Sequence, residues 1–429
     1  MTTDPITRAV ACNLCTGCGA CAGAFPDVIR MVDDPVNGRR PVVAASADGC
    51  KAAAAAASLC AGAAVDYTVL PRKDAIDATW GPVLATWIGH AGDDEIRHRG
   101  SSGGAVTALA LYALQSGLAG GVAHVRARED DPRLNVAVIS RTRADLLRGA
   151  GSRYAQASAA EALGAIAVEA APVVFIGKPC DVASVVKAGV ADRLAVTIAV
   201  FCAGAPNLVA TDRLLTRLGV PEGAALTDLR YRGDGWPGLM QASYLAGGTS
   251  HTTPGLSYAE GWGNILQSER RWRCRICTDH TGAFADISVG DPWHTPPKGA
   301  GEAGQSLIIA RSEAGRRLIE AAMAAGALVA TPTTRDVIAR AQPNLLASQG
   351  AVFGRRLVMR AMGLSVPQER GLALFPLWWR LPVRQRVQSL AGTAKRILRA
   401  RLWRPVVVKP CGCRMPLCRP GPAIWTCCA

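Results

Sequence analysis

Residues 173–181 read VVFIGKPCD and residues 194–202 read LAVTIAVFC. Each opens as an apolar, largely β-branched run, which predicts a strand. Strands over Val173–Ile176 and Leu194–Phe201 put Cys180 and Cys202 just past two carboxyl ends. Open α/β sheets bind their ligands at those ends. Apolar helical runs surround the pair: Ala105–Gln115, Ala159–Glu169 and Leu208–Leu218. A further strand is expected near Val122–Val125, and Ser306–Ala310 predicts a strand before a helix over Glu313–Ala325. Such alternation implies an α/β fold with some α+β character, built on a mainly parallel central sheet flanked by helices. Residues 222–265 shorten into segments that suggest antiparallel hairpins. Residues 71–90, with Pro71, Trp80 and Pro82, read as a linker, and Ala52–Ala57 reads as a short helix.

The chain has 429 residues, 49% of them hydrophobic and 19% charged, enough to bury a core. No apolar run reaches 18 residues, and Met1–Val10 lacks the apolar segment of a secretory signal. A cytoplasmic protein is therefore expected. The net charge of +15 is uneven: from Phe353 onward, fifteen Lys and Arg face one acid, Glu369, a balance of +14. Arg384–Arg404 reads as a basic amphipathic helix, with Val387, Leu390, Ile397, Leu398 and Leu402 among its cations. This tail suits contact with a partner or with the inner face of a membrane, or simply a solvated basic face. Nucleic-acid binding is not expected, because no binding fold accompanies the charge. The last stretch, rich in Pro and Cys, has no periodicity and is expected to be poorly ordered. Three domains follow: 1–75, 76–350 and 351–429.

Fifteen cysteines in a chain without a secretory signal point to metal or redox chemistry rather than disulfides. Cys12, Cys15, Cys18 and Cys21 are spaced as C-x2-C-x2-C-x2-C. That is the ligand run of a 4Fe–4S site; a zinc knuckle is the alternative. Phe25-Pro26 stands where the run's usual last cysteine belongs. With Cys15, Cys18 and Cys21 as ligands, Cys60 is the expected fourth, and Cys12 and Cys50 compete. Cys180, Cys202 and the pair Cys274/Cys277 supply four more thiolates, enough for a second 4Fe–4S cluster. Ordinary burial is the alternative for each strand-end cysteine.

The turn Arg99-Gly-Ser101-Ser102-Gly103-Gly104 leads into the helix at 105. Bare amides at a helix start make an anion site, which Ser101 and Ser102 can extend and Arg97, His98 and Arg99 favour. A plain capping loop reads the same way. Asp291 can accept a hydrogen bond from a ligand hydroxyl or cap a turn before Pro292. Trp236, in a loop read as a structural hairpin, can cover a ring.

Taken in order, LCTGCGAC, SSGGAV, GSRY, GKPCD, FCAG, YRGDGWPG, CxxCxD and ADxxxGD make the chain resemble the coenzyme F420 hydrogenase/dehydrogenase beta-subunit family, over roughly residues 10–350. The resemblance implies an oxidoreductase with FAD beside a 4Fe–4S cluster on Cys180, Cys202, Cys274 and Cys277. It implies flavin contacts from Ser102, Gly103, Gly104, Thr107, Tyr154 and Lys178, and a ferredoxin-like N-terminal segment feeding a second cluster. Lys178 is then a catalytic candidate, a cation favouring reduced flavin. The expected partners are a ferredoxin-like or other redox donor, and a deazaflavin coenzyme or other small organic acceptor. A non-catalytic electron-transfer subunit and a zinc-binding scaffold are the rival readings.

Overall fold

The computed structural model describes residues 4–408 apart from positions 296, 298 and 300. The N-terminal part holds helix Pro5–Ala11, an antiparallel pair β1 (Ile29–Val32) and β2 (Arg40–Val43), helix Ala47–Ala56 capped by Ser46, and β3 (Ala64–Asp66). Then come β4 (Ala85–Ala91), β5 (Gly121–Ala127), β6 (Asn135–Ser140), β7 (Val173–Gly177) and β8 (Leu194–Val200). A three-stranded antiparallel sheet follows, of β9 (Ala225–Arg230), β10 (Gln241–Ala246) and β11 (Thr249–Thr252). The chain returns to the main sheet with β12 (Ile287–Gly290), β13 (Ser306–Ala310) and β14 (Leu328–Thr333), and ends its strands at β15 (Gln368–Arg370).

The main sheet has eight strands in the order β14-β4-β13-β12-β8-β7-β5-β6. Its centre, β12-β8-β7-β5, is parallel, and the strands on either side run antiparallel to their neighbours. The mixed α/β fold read from the sequence is present, with its parallel part confined to that centre. Side chains alternate across the sheet. Val174, Val196 and Ile198 pack under helices Ala105–Gln115 and Glu313–Ala324, against Leu109, Leu318 and Ile319. Val173, Phe175 and Ala199 pack on the other face against Leu163, Ile166, Val182 and Val185. Helices on both faces leave the carboxyl ends of β7, β8 and β12 as the open edge.

Two expectations need correction. Residues 71–90 are not a linker: helix Ala75–Trp80 and β4 lie there. Trp80 and Val83 are buried against Leu307 and Ile309, and the buried Arg311 donates to the carbonyls of Trp80 and Pro82 at 2.7 and 3.0 Å. Cys50 is disulfide-bonded, although no disulfide was expected; the other described cysteines are free. The tail helix expected over Arg384–Arg404 forms over Val383–Ala400. It buries Ser389, Thr393 and Ile397 and leaves Val387 and Leu398 exposed. The small Ser389 meets Gly354 at a contact that leaves no room for a Cβ, and the Trp378 indole donates to its hydroxyl at 2.9 Å. The Pro- and Cys-rich stretch from 409 on lies outside the described residues. Among the described residues no helix is long and apolar enough to cross a membrane.

The C-terminal extension is fastened to the N-terminal part. β15 pairs in parallel with β3. Glu369, on β15, is buried and accepts from Arg273 at 3.0 Å, Arg356 at 2.8 Å and Thr278 at 2.8 Å. Removing one partner of a buried ion pair leaves uncompensated charge. Glu369→Gln is expected to cost about 3–5 kcal/mol in urea unfolding, against under about 0.5 kcal/mol for the exposed Glu313→Gln.

Candidate functional site

The open edge of the sheet borders a cavity of about 280 Å³. Its walls come from the ends of β7, β8 and β12, at Gly177-Lys178, Val200–Pro206 and Gly290-Asp291, and from the turn before helix Ala105–Gln115. Gly104 occupies the cap position of that helix at φ +71°, and a Cβ there would lie 2.5 Å from the Ile96 carbonyl oxygen. No side chain caps the helix, so its first amides, from Ala105 to Thr107, keep their donors free at the cavity wall. Aligned amides and the positive end of the helix dipole suit an anion such as phosphate.

Ser101, Ser102, Gly104 and Thr107 line the cavity; Gly103 does not. Its amide is taken by the Ser306 hydroxyl at 2.9 Å, and that hydroxyl also lies 2.9 Å from Ser102 Oγ. Arg97, His98 and Arg99 do not line the cavity either. Arg97 donates to the Gly304 carbonyl, and Arg99 pairs with Glu95.

Besides Lys178 and Arg153, the cavity is lined by Arg232, which the sequence reading passed over inside its hairpin loop. Arg232 is buried and grips both oxygens of Asp291, at 2.8 and 2.7 Å. It also donates to Tyr154 Oη at 3.3 Å and to the Pro237 and Ser101 carbonyls. Burial alone would depress its pKa, but Asp291 outweighs that and holds the guanidinium charged. Trp236 completes the group by donating to Asp291 at 2.9 Å. The Asp291 carboxylate is thus already engaged within the protein rather than presented to a ligand hydroxyl. Around Arg232 stands an aromatic wall. Tyr258 and Trp293 stack at 5.2 Å, Tyr154 and Trp262 lie 5.0 Å apart, and Trp236 stacks on Trp293 at 5.7 Å. The guanidinium lies over the Tyr258 and Trp293 rings at 5.2 and 5.5 Å.

Opposite this wall, Lys178 caps helix Pro179–Lys187 and donates to Asp181 at 2.6 Å and to the Ala157 carbonyl at 3.2 Å. Burial works to lower its pKa, but Asp181 and the neighbouring Cys180 raise it further, so Lys178 stays a cation.

Eight cysteines form two groups, one of which reaches the cavity through Cys202. Cys15, Cys18, Cys21 and Cys60 line one small void of about 20 Å³. Backbone amides of Gly17, Ala20, Ala22 and Ala63 donate towards their four sulfurs. Burial, and repulsion from neighbouring sulfurs, push the thiols of Cys18, Cys21 and Cys60 up, Cys60 to about 12. Ionised together they would need a cationic centre between them. Cys12 bonds Ser365 and lies off this void, and Cys50 is disulfide-bonded, so of the three contenders for fourth place only Cys60 joins the group.

The second group is Cys180 on the first turn of helix Pro179–Lys187, Cys202 just past β8, and Cys274 and Cys277 at helix Trp272–Arg275. Burial and then Cys274 push Cys202 up to about 12. Cys277 also rises to about 12, chiefly by burial, with Asp279 and Cys274 adding to it. Cys180 rises by burial and Asp181, with Cys202 adding to it. The Ala205 amide donates to Cys274 Sγ at 3.5 Å. Among the described residues no three His, Cys, Asp or Glu side chains are grouped so that they could hold a metal ion. A single tetrahedral ion would draw its thiolates to about 3.8 Å of one another. A cubane spreads them over four irons.

The two groups adjoin. Cys18 Sγ lies 3.4 Å from Ser184 Oγ, one turn beyond Cys180 on the same helix, and Cys18 acts electrostatically on Cys180. Cys202 belongs to the second group and also lines the cavity.

Sequence profiles for the N-terminal and C-terminal parts of the coenzyme F420 hydrogenase/dehydrogenase beta subunit match residues 86–164 and 171–336, respectively. The chain belongs to this family. The coenzyme F420 hydrogenase/dehydrogenase beta subunits are components of electron-transferring oxidoreductases. Among solved structures, a chain of the xenon-derivatised F420-reducing NiFe hydrogenase complex from Methanosarcina barkeri is similar. It is 20% identical, with a TM-score of 0.49, over 71% of this chain and 99% of that chain. No curated protein matches. The matched regions contain most of the cavity lining and the whole second cysteine group, and leave Cys15, Cys18, Cys21 and Cys60 outside.

A double-mutant cycle tests the Arg232–Asp291 pair. Asp291→Asn alone is expected to cost about 3 kcal/mol in urea unfolding, because it strands a buried guanidinium. In an Arg232→Gln background the same change should cost under about 1 kcal/mol.

Proposed function

We propose that the protein is an iron–sulfur flavoprotein oxidoreductase. It would pass electrons between a ferredoxin-like donor and a deazaflavin coenzyme or another small planar acceptor. The observation that carries this reading is that Cys18, in contact with Ser184 one turn past Cys180, neighbours the second group, whose Cys202 borders the cavity. The donor sets fit the implied groups. Each cysteine group offers four buried or half-buried thiols, with amides aimed at sulfur, as cluster sulfides and thiolates require. The cavity offers uncapped helix amides to a pyrophosphate and a face of aromatic rings to a planar ring system.

On this reading Cys15, Cys18, Cys21 and Cys60 hold one 4Fe–4S cluster. Cys180, Cys202, Cys274 and Cys277 hold the other, and FAD occupies the cavity. Clusters supply single electrons and flavin exchanges one for two, which matches a one-electron donor to a two-electron acceptor. The chain's own part is placement and charge. Ser101, Ser102, Gly104 and Thr107 seat the phosphates, and Gly103 fixes the turn through Ser306. Tyr154 and Arg232 form one side of the ring site, with Asp291 orienting Arg232. Lys178, kept cationic by Asp181, stabilises negative charge that develops on a reduced ring. Residues 1–75 receive electrons and 76–350 house the exchange. Residues 351–408 brace both, through the pairing of β15 with β3 and of Glu369 with Arg273 and Thr278. The cytoplasm, where thiolates stay reduced, is the proposed setting.

Anaerobic reconstitution with iron, sulfide and FAD tests this, with metal, sulfide and flavin measured on the same sample. Wild type is expected to bind flavin and two clusters. Cys60→Ala should lose half of the iron and sulfide and keep the flavin, whereas Cys12→Ala keeps all. Gly104→Val should lose the flavin and keep the iron. A colourless protein carrying stoichiometric zinc would overturn the proposal. If reduced protein passes electrons to no soluble acceptor, the chain is a relay subunit without a substrate of its own.

A further inference from the structure

The C-terminal helices leave large apolar side chains in water, and they do so among cations. Phe375 and Trp379, 49% and 59% exposed, stack at 5.8 Å on helix Leu374–Trp379. Arg386 lies over the Trp379 ring at 4.5 Å. Because Ser389 and Thr393 take the inward face of helix Val383–Ala400, its outward stripe carries Val383, Val387 and Leu398 together with Arg384, Lys395 and Arg399. Trp403, 52% exposed, lies just past the end of this helix. Residues 371–408 contain eight Arg and Lys and no Asp or Glu. Phe375 also borders an open cleft of about 630 Å³, whose rim adds the exposed Arg360 and Arg370.

We propose that this face docks the protein on an anionic lipid surface. The charge is complementary to such a surface and to nothing acidic in its own segment. Its apolar residues match the boundary between headgroups and acyl chains, where Trp and Phe settle and arginine stems lie flat with their heads in water. Exposed apolar residues at helical spacing among cations mark a peripheral helix lying in the interface plane. A nucleic acid would engage the arginines alone and leave Val383, Val387 and Leu398 in water. The face is independent of the cavity and of both cysteine groups, so the inference stands or falls apart from the proposed function.

Sedimentation of the full chain with vesicles decides it. The protein is expected to pellet with phosphatidylcholine vesicles that contain phosphatidylserine and not with phosphatidylcholine alone, and to be released by salt. Brominated lipid should quench its tryptophan fluorescence. Changing Arg384, Lys395 and Arg399 together to Glu should lower partitioning about a hundredfold or more. Phe375→Ser with Trp379→Ser should lower it at unchanged charge. The salt and quenching tests need no variant and so hold even if a variant misfolds. Failure of wild type to pellet with phosphatidylserine vesicles would overturn the proposal. So would binding that neither salt nor either variant weakens, or a preference for double-stranded DNA over vesicles.

Discussion

The site hangs on one short helix, Pro179–Lys187. Its cap residue Lys178 faces the cavity and its first turn carries Cys180. Ser184, one turn on, touches Cys18 and accepts from the Ala61 amide at 3.3 Å, beside Cys60. A helix repeats every 3.6 residues, so positions four apart share a face. Cys180 and Ser184 use that spacing to bring an N-terminal segment and a strand-end cysteine into one neighbourhood. Pro179 at the helix start and Asp181, which accepts from the Lys178 amide at 2.9 Å, fix where the turn begins. The buried strand β7 in front of the helix keeps it from sliding.

The cavity shows how a buried charge is made tolerable. An isolated guanidinium among Tyr154, Tyr258 and Trp293 would be costly to desolvate. Arg232 is surrounded by acceptors on nearly every side: two carboxylate oxygens, a phenol and two carbonyls. Such a network rigidifies what it satisfies. It links the antiparallel part of the chain, through Arg232 and Trp236, to the end of β12 at Asp291.

Much of this was legible in the sequence, and for identifiable reasons. The strands at 173 and 194 are long apolar runs, the helix at 105 begins and ends as its pattern suggests, and the cysteine spacings are themselves chemical statements. What escaped was decided by contacts between distant segments. Arg232 sits in a loop whose glycines and proline dominate its local reading, and only folding brings Asp291 to it. Residues 71–90 carry loop-forming residues, yet Arg311, far along the chain, ties their carbonyls into the core. In the tail helix Ile397 of the expected apolar pattern is buried, but the polar Ser389 and Thr393 share its inward face, which only packing against the preceding helices reveals.

Ser306 has a consequence of its own. It stands on β13, a strand buried in the sheet, and its single hydroxyl holds both the Gly103 amide and the Ser102 side chain. The glycine-rich turn is thereby moulded before any guest arrives, its flexibility already surrendered to the sheet during folding. A ligand that settles there meets a ready-made seat and forfeits little of its binding strength to ordering the protein.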